Sequence, residues 1–147
     1  MHPSVRLCLI ALTAVCCCFT SAARAQTTTS SIENRLKELG IVLPASSAPV
    51  ANYVNAVQTG NLVFLAGKGP RRDDGSYITG KVGADLSIEQ GYQAARLTGI
   101  AQLAALKETL GNLDRVKRVV KVLGMVNAGP DFTDHPKVIN GFSDLMV

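Results

Sequence analysis

The chain has 147 residues, 47% of them hydrophobic and only 5% aromatic, with a formal charge of +4. Its length suits one domain, and so small a basic excess with so few stacking rings argues against a nucleic-acid surface. The four cysteines, Cys8, Cys16, Cys17 and Cys18, all lie near the N-terminus, so the rest of the chain can form neither a disulfide, a thiol nucleophile nor a cysteine metal site.

Arg6, the apolar run over residues 7–19 and the small-x-small triplet Ala23-Arg24-Ala25 predict a signal peptide over residues 1–25, cleaved after Ala25. The run is short for a membrane span; a retained N-terminal anchor is the alternative, and lipoprotein processing at Cys16 fits poorly. A periplasmic or secreted location follows. Cleavage removes Arg6 and Arg24 and lowers the formal charge from +4 to +2. Residues 26–31 (QTTTSS) read as a polar linker and residues 32–147 as the domain.

Residues 32–39 (IENRLKEL) read as a short amphipathic helix with Ser31 as N-cap and Gly40 as its stop. Residues 44–49 (PASSAP) form a second linker. Residues 53–57 and 62–66 are β-rich runs joined by a turn at Thr59-Gly60-Asn61, which predicts a hairpin. Asp73-Asp74-Gly75-Ser76 reads as another turn, leading into a short segment over residues 77–81. Ser87 and Gln90 make a capping box. Ile88, Tyr92, Ala95, Gly99, Leu103, Leu106 and Leu110 then share one helical stripe, and Gly111 ends it. Ala95 and Gly99 allow a close approach, most simply by a sheet. The β-branched residues 116–126 (VKRVVKVLGMV) predict a long strand with Lys117, Val119, Lys121, Leu123 and Met125 on one face. Thr133 or Asp134 caps a last helix with Pro136 in its first turn and Val138, Phe142 and Leu145 on its apolar face. The order is that of an α+β domain with helices on one face of a sheet.

The glycine-flanked lysine in Gly67-Lys68-Gly69 invites a phosphate-loop reading. The spacing does not support it: no G-x-x-x-x-G-K-[ST] run is present, and Pro70 with Arg71 and Arg72 leads into a turn. A strand end that needs close backbone approach is the simpler reading. Arg71-Arg72-Asp73-Asp74 reads as a self-neutralised turn, and Lys117, Arg118 and Lys121 as a wet strand face. His135 is the one histidine after the signal segment. It has neither a second ligand residue for a metal nor a G-x-S-x-G elbow for a triad. The carboxylate pairs Asp85/Glu89 and Asp131/Asp134 read as helix caps. No self-contained catalytic constellation emerges from residue types and spacing.

The ordered residues carry a resemblance. The stretch ASSAPVANYVNAVQTGNLVFLAGKGP, followed by ITGKVGADLSIEQGYQAARLTGIAQLAALKETLGNLDRVKRVVKVLGMVNAGPDF, closely resembles the Rid (YjgF/L-PSP) family, in the branch that begins with an extra IENRLKELGI-type helix. The resemblance covers the chain from about Ile32 to Val147. It implies a chorismate-mutase-like fold, a mixed sheet with two helices on one face, in homotrimers with clefts between subunits. It also implies hydrolysis of reactive enamines and imines of the 2-aminoacrylate type to keto acid and ammonia, without metal or other cofactor. Non-catalytic binding of a small metabolite or partner, and the RNA cleavage behind the L-PSP name, are the alternatives. The resemblance places Tyr53, Ala66, Gly67 and Lys68 on the cleft and the loop from Asn127 to Asp131, Pro130 included, over it.

Three departures accompany it. The family's SGQ strand end is Ala66-Gly67-Lys68, which loses a hydroxyl and gains a cation. A loop asparagine aligns with Pro130, which has no side-chain amide. The family's substrate-binding arginine lies on a strand beyond Val147, and Arg118 is the last arginine here. The resemblance thus predicts a C-terminally truncated domain whose closing strands are missing. Such a chain lacks a charge-assisted clamp worth about 1.5–3 kcal/mol, and is expected to be inactive as a deaminase and unstable alone.

Overall fold

The structure, a computed structural model, describes residues 31–147. The predicted signal peptide, its cleavage site and the linker up to residue 30 lie outside the described residues. Ser31 caps helix α1, Ile32–Glu38, by accepting the Asn34 amide, and Gly40 follows at φ 65°. The helix is pinned at three points. Leu36 is buried, Asp114 Oδ1 accepts the Ile32 amide at 2.7 Å, and Glu33 pairs with Lys107 at 2.8 Å.

Strands β1, Ala56–Thr59, and β2, Leu62–Leu65, form the predicted hairpin with Ala56 opposite Leu65 and Thr59 opposite Leu62. That register leaves Gly60 and Asn61 as the connection, with Gly60 at φ 54°. β1 begins later than predicted and includes Thr59. Tyr53 and Val54 lie outside it because the chain bends there, the Tyr53 amide donating to Ala51 O at 2.9 Å. Residues 77–81 form no strand; a single bridge joins Tyr77 to Arg71 across the predicted Asp73–Ser76 turn.

Helix α2, Ile88–Leu110, realises the capping box in both directions between Ser87 and Gln90 and ends on Gly111 at φ 75°. It touches both strands of the hairpin, and a short 3₁₀ turn, Leu113–Arg115, follows it. Helix α3, His135–Ser143, packs along α2. Its N-cap is Asp134, whose side chain makes no capping bond and instead pairs with Lys137 at 3.1 Å.

The small residues of α2 receive a helix rather than the expected sheet. A Cβ on Gly99 would meet Leu145, just past α3, at 2.7 Å and Phe142 of α3 at 3.3 Å, and one on Gly91 would meet Val82 at 3.0 Å and Val138 of α3 at 3.2 Å. From the other side, Gly141 of α3 rests on the Tyr92 carbonyl, with no room for a Cβ. The two backbones approach closely because glycines occupy the crossing on both helices.

The α+β arrangement stands, with a sheet smaller than the full mixed one: among the described residues it has two antiparallel strands. Residues 116–126 start extended, with Val116 at φ −80° and ψ 120°, but form no strand, because a strand is defined by its partner and no described segment lies beside this one. Its end is held where Asn127 O accepts the Val82 amide at 2.9 Å and where Ile139 of α3 covers Gly124. The core is correspondingly thin. Among the described residues Leu36, Val82, Ala104, Ala105, Leu113 and Val138 are the buried apolar ones, and only Leu113 is a large side chain with under 2% exposure.

Candidate functional site

Beyond β2 the chain continues through Ala66 and Gly67 to Lys68, and a polar cluster gathers at this strand end. Lys68 Nζ donates to Asn55 Oδ1 at 2.6 Å, Ser47 O at 3.3 Å and Ser47 Oγ at 3.4 Å. Asn55 donates in turn to Ser46 Oγ at 3.1 Å, Ser47 O at 3.1 Å and Glu108 Oε2 at 3.4 Å. The Asn55 carbonyl accepts the Ala66 amide at 2.9 Å. Asn55 thus organises four segments: the 44–49 linker, the hairpin, the strand end and α2. Its position just before β1 and its two-ended amide allow this, since one end accepts and the other donates.

The electrostatics follow from the partners. All three oxygens around the half-buried Lys68 ammonium are neutral, and the carboxylate of the cluster, Glu108, reaches it only through Asn55. The cation is solvated by dipoles but not neutralised, and its attraction for an anion is strengthened by partial removal from water. Next to it, Gln102 of α2 donates Nε2 to Ala66 O at 3.0 Å, while its Oε1 is buried without a partner. Gln102 therefore fixes the strand-end backbone and leaves one acceptor unmet.

The predicted site residues separate into two groups. Ala66 and Lys68 are half-buried in the cluster, and Gly67 between them is exposed. A Cβ on Gly67 would meet nothing within 4 Å, so the close backbone approach expected there is absent; Gly69 is the tight position, 3.3 Å from the Tyr77 ring. Tyr53 is 42% exposed, its hydroxyl accepting the Val50 amide at 3.5 Å. Asn127 lies elsewhere, against the 80–82 segment, where its Nδ2 donates to Gly80 O at 2.9 Å. Pro130 is exposed on the following loop. Among the described residues, no hydrogen bond joins Asn127 or Pro130 to Lys68.

An open depression of about 550 Å³ lies beside that loop, lined by residues 83–88 at the start of α2 and residues 131–134 before α3. Asp85 spends one oxygen on the Lys81 amide at 2.9 Å. Among the described residues no three His, Asp or Glu side chains converge on a metal position. The 71–76 turn also differs from expectation. Arg71 and Arg72 bond Gly75 O, Tyr77 O and Ser76 Oγ rather than the aspartates. Asp74 accepts from the Ser76 hydroxyl and amide, which holds its carboxyl below the usual range.

Asn55, Ser47, Gln102 and Glu108 were not singled out by sequence reasoning. Gln102 left a usable signal, a polar residue beside Leu103 and Ala101 in the otherwise apolar middle of α2. Asn55 fell inside the 53–57 run read as a strand, where asparagine is disfavoured, but that oddity does not name its partners.

A hairpin under a long helix, a second helix crossed onto it, and a lysine-bearing strand end define an α+β domain. Residues 33–147 match the family described as "YjgF/chorismate mutase-like, putative endoribonuclease". The chain belongs to this family. It is 44% identical over 112 residues to Protein TCP17 of Trypanosoma cruzi, covering 76% of this chain and 70% of that one. A crystal structure described as "a putative endoribonuclease" from Shewanella oneidensis shares 33% identity, with a TM-score of 0.74 over 77% of this chain and 75% of that one. A protein of unknown function from Agrobacterium tumefaciens shares 39% identity, with a TM-score of 0.69 over 78% of this chain and 69% of its own.

Proposed function

We propose that the domain acts on small reactive enamine or imine carboxylates, binding the carboxylate at Lys68 and directing hydrolysis to a keto acid and ammonia. The observation that carries this reading is the Lys68 ammonium, half-buried among neutral oxygens with 2.6 Å to Asn55 Oδ1, a cation placed for a small anion. The chemistry asks little more of the protein. An enamine takes a proton on carbon to become an imine. Water adds to the imine carbon, and the resulting carbinolamine expels ammonia as its C–N bond breaks. Positioning and proton transfer suffice, with no strong nucleophile. Glu108, linked to Asn55 at 3.4 Å, is the carboxylate nearest in the network for handling the water's proton.

In this reading the site is completed between subunits of a homotrimer. Asn127 and Pro130, remote from Lys68 within the chain, face a neighbour's strand end. The outer face of the hairpin supports association: Val57 and Phe64, paired across the strands, are 56% and 60% exposed, and such a patch favours burial against another surface.

A thermal-shift titration with a small keto acid tests the binding step. Stabilisation of the wild type and its loss in Lys68→Ala are expected; equal stabilisation of both would refute the role of Lys68. Ammonia release from 2-aminoacrylate generated in situ, followed with protein from its native source, tests turnover. The endoribonuclease named for the family is the second reading, favoured by Lys117, Arg118 and Lys121, which are exposed and have no ion-pair partner among the described residues. RNA degradation that falls steeply with salt would support it instead.

A further inference from the structure

An ammonium has three N–H donors, and those of Lys68 are matched by three acceptors: Asn55 Oδ1 at 2.6 Å, Ser47 O at 3.3 Å and Ser47 Oγ at 3.4 Å. An anion reaches Lys68 directly only where one of these yields. Asn55 makes the shortest contact and is fixed from behind, since its carbonyl accepts the Ala66 amide at 2.9 Å and its Nδ2 reaches Glu108 at 3.4 Å. Ser47 is held less firmly. It lies in the segment over residues 42–49, between α1 and the hairpin, where among the described residues no backbone amide or carbonyl bonds another backbone group. The hydrogen bonds on this strap come from the side chains of Lys68 and Asn55, the latter donating to Ser46 Oγ and Ser47 O at 3.1 Å each.

We propose that Ser47 occupies the carboxylate position beside Lys68 in the free protein, and that a small carboxylate binds by displacing the strap. This deepens the functional reading above and rests on it, since it takes Lys68 as the carboxylate-binding group. Ser47 presents two oxygens to Lys68, the number a carboxylate presents, and one of them also accepts from Asn55 Nδ2. A carboxylate in the same place meets the same two donors. Its charge makes both bonds stronger than the neutral ones they replace, whereas a neutral ligand has no such advantage over Ser47. The ends of the strap stay put. The Ile41 amide is bonded to Leu36 O at 2.8 Å, and Asn55 is tied to the hairpin through Ala66. Ser47 is therefore a specificity-determining residue. It reduces the apparent affinity of any ligand by the fraction of molecules in which the strap is open, and a charged ligand offsets that reduction.

The test is an isothermal titration with pyruvate of the wild type, of Lys68→Ala and of a Ser46→Ala/Ser47→Ala variant, joined to digestion with elastase, which cuts after small side chains such as Ala45 and Ala48. The double variant removes one contact of the strap with Asn55 and one with Lys68. Pyruvate is expected to bind it at least about fivefold more tightly than the wild type, the effect of two neutral hydrogen bonds lost from the closed form, and to bind Lys68→Ala at least about tenfold more weakly. In the wild type, cleavage within residues 45–51 is expected to accelerate as pyruvate saturates. In Lys68→Ala it is fast from the start and unmoved by pyruvate, because cleavage follows the open population. The wild-type digestion gives the sign of the motion without any variant. Pyruvate binding that needs Lys68 but is equal or weaker in the double variant overturns the strap and leaves the reading of Lys68 standing. Cleavage unchanged by saturating pyruvate, or protection of residues 45–51, does the same. Pyruvate that binds none of the three proteins removes the reading of Lys68 and the strap with it.

Discussion

Lys68 Nζ stands 2.6 Å from Asn55 Oδ1, and the other end of the same amide donates to Glu108 at 3.4 Å. One asparagine therefore sets both the position of the cation and its distance from the carboxylate. Replacing Asn55 with leucine leaves Lys68 half-buried without its shortest acceptor. A loss of about 1–3 kcal/mol is expected, read as a lower urea midpoint. In a double-mutant cycle with Lys68→Met, a coupling of about 0.5–3 kcal/mol is expected, and strict additivity would show the pair to be independent.

The helix crossing makes a sharper prediction. Alanine in place of helical glycine gains about 1 kcal/mol of propensity. At Gly141 that gain meets the Tyr92 carbonyl, which a Cβ would overlap, and overpacking costs about 1–3 kcal/mol or more. Gly141→Ala is therefore net destabilising. Gly67→Ala, where a Cβ meets open space and φ is not positive, is neutral or mildly stabilising. Thermal melts of the two variants check both signs.

The α1 staple is pH-sensitive. The hydrogen bond from Lys107 holds the Glu33 carboxyl below its ordinary value of 4.5. A depressed folded-state pKa contributes stability that is present above the unfolded value and lost as pH falls through the folded one. The melting temperature of the wild type should exceed that of Glu33→Gln at neutral pH, and the gap should close as pH drops below about 4.5. Tyr92 works in the opposite sense. Its hydroxyl donates to Asp144 at 3.0 Å, which raises its pKa above 10.0. That stabilisation is present below pH 10.0 and fades only as pH rises through the raised value.

The hairpin face tests assembly. Phe64→Glu places a charge on the outer apolar face opposite Val57. If that face is buried between subunits, the variant shifts toward monomer in light scattering without loss of helical circular dichroism. An unchanged mass in both proteins, trimeric or monomeric, would exclude the face from the assembly.

Local elements were legible in the sequence because their signals are local. Ser87 with Gln90, Gly111, Ser31 with Gly40, and Gly60-Asn61 all perform the roles their types predict, each within four residues of its partner. The sheet was not legible in the same way. Residues 116–126 have the composition of a strand, but pairing is a long-range event that composition cannot guarantee. Ala95 and Gly99 of α2 announced a close approach, but the sheet expected there is replaced at Gly99 by α3 and the residues just after it. The candidate site fell between these cases. Lys68 was visible as an odd cation at a strand end, whereas Ser47, Asn55, Gln102 and Glu108 converge on it only through tertiary packing.

The most direct test of the central claim is an NMR titration of the protein with a small keto acid, observing the Lys68 and Asn55 side chains. The account predicts saturable shifts at both and an affinity at least about tenfold weaker in Lys68→Ala, the loss of one charge-assisted pair. Shifts confined to residues 83–88 and 131–134, or an affinity indifferent to Lys68, would contradict it.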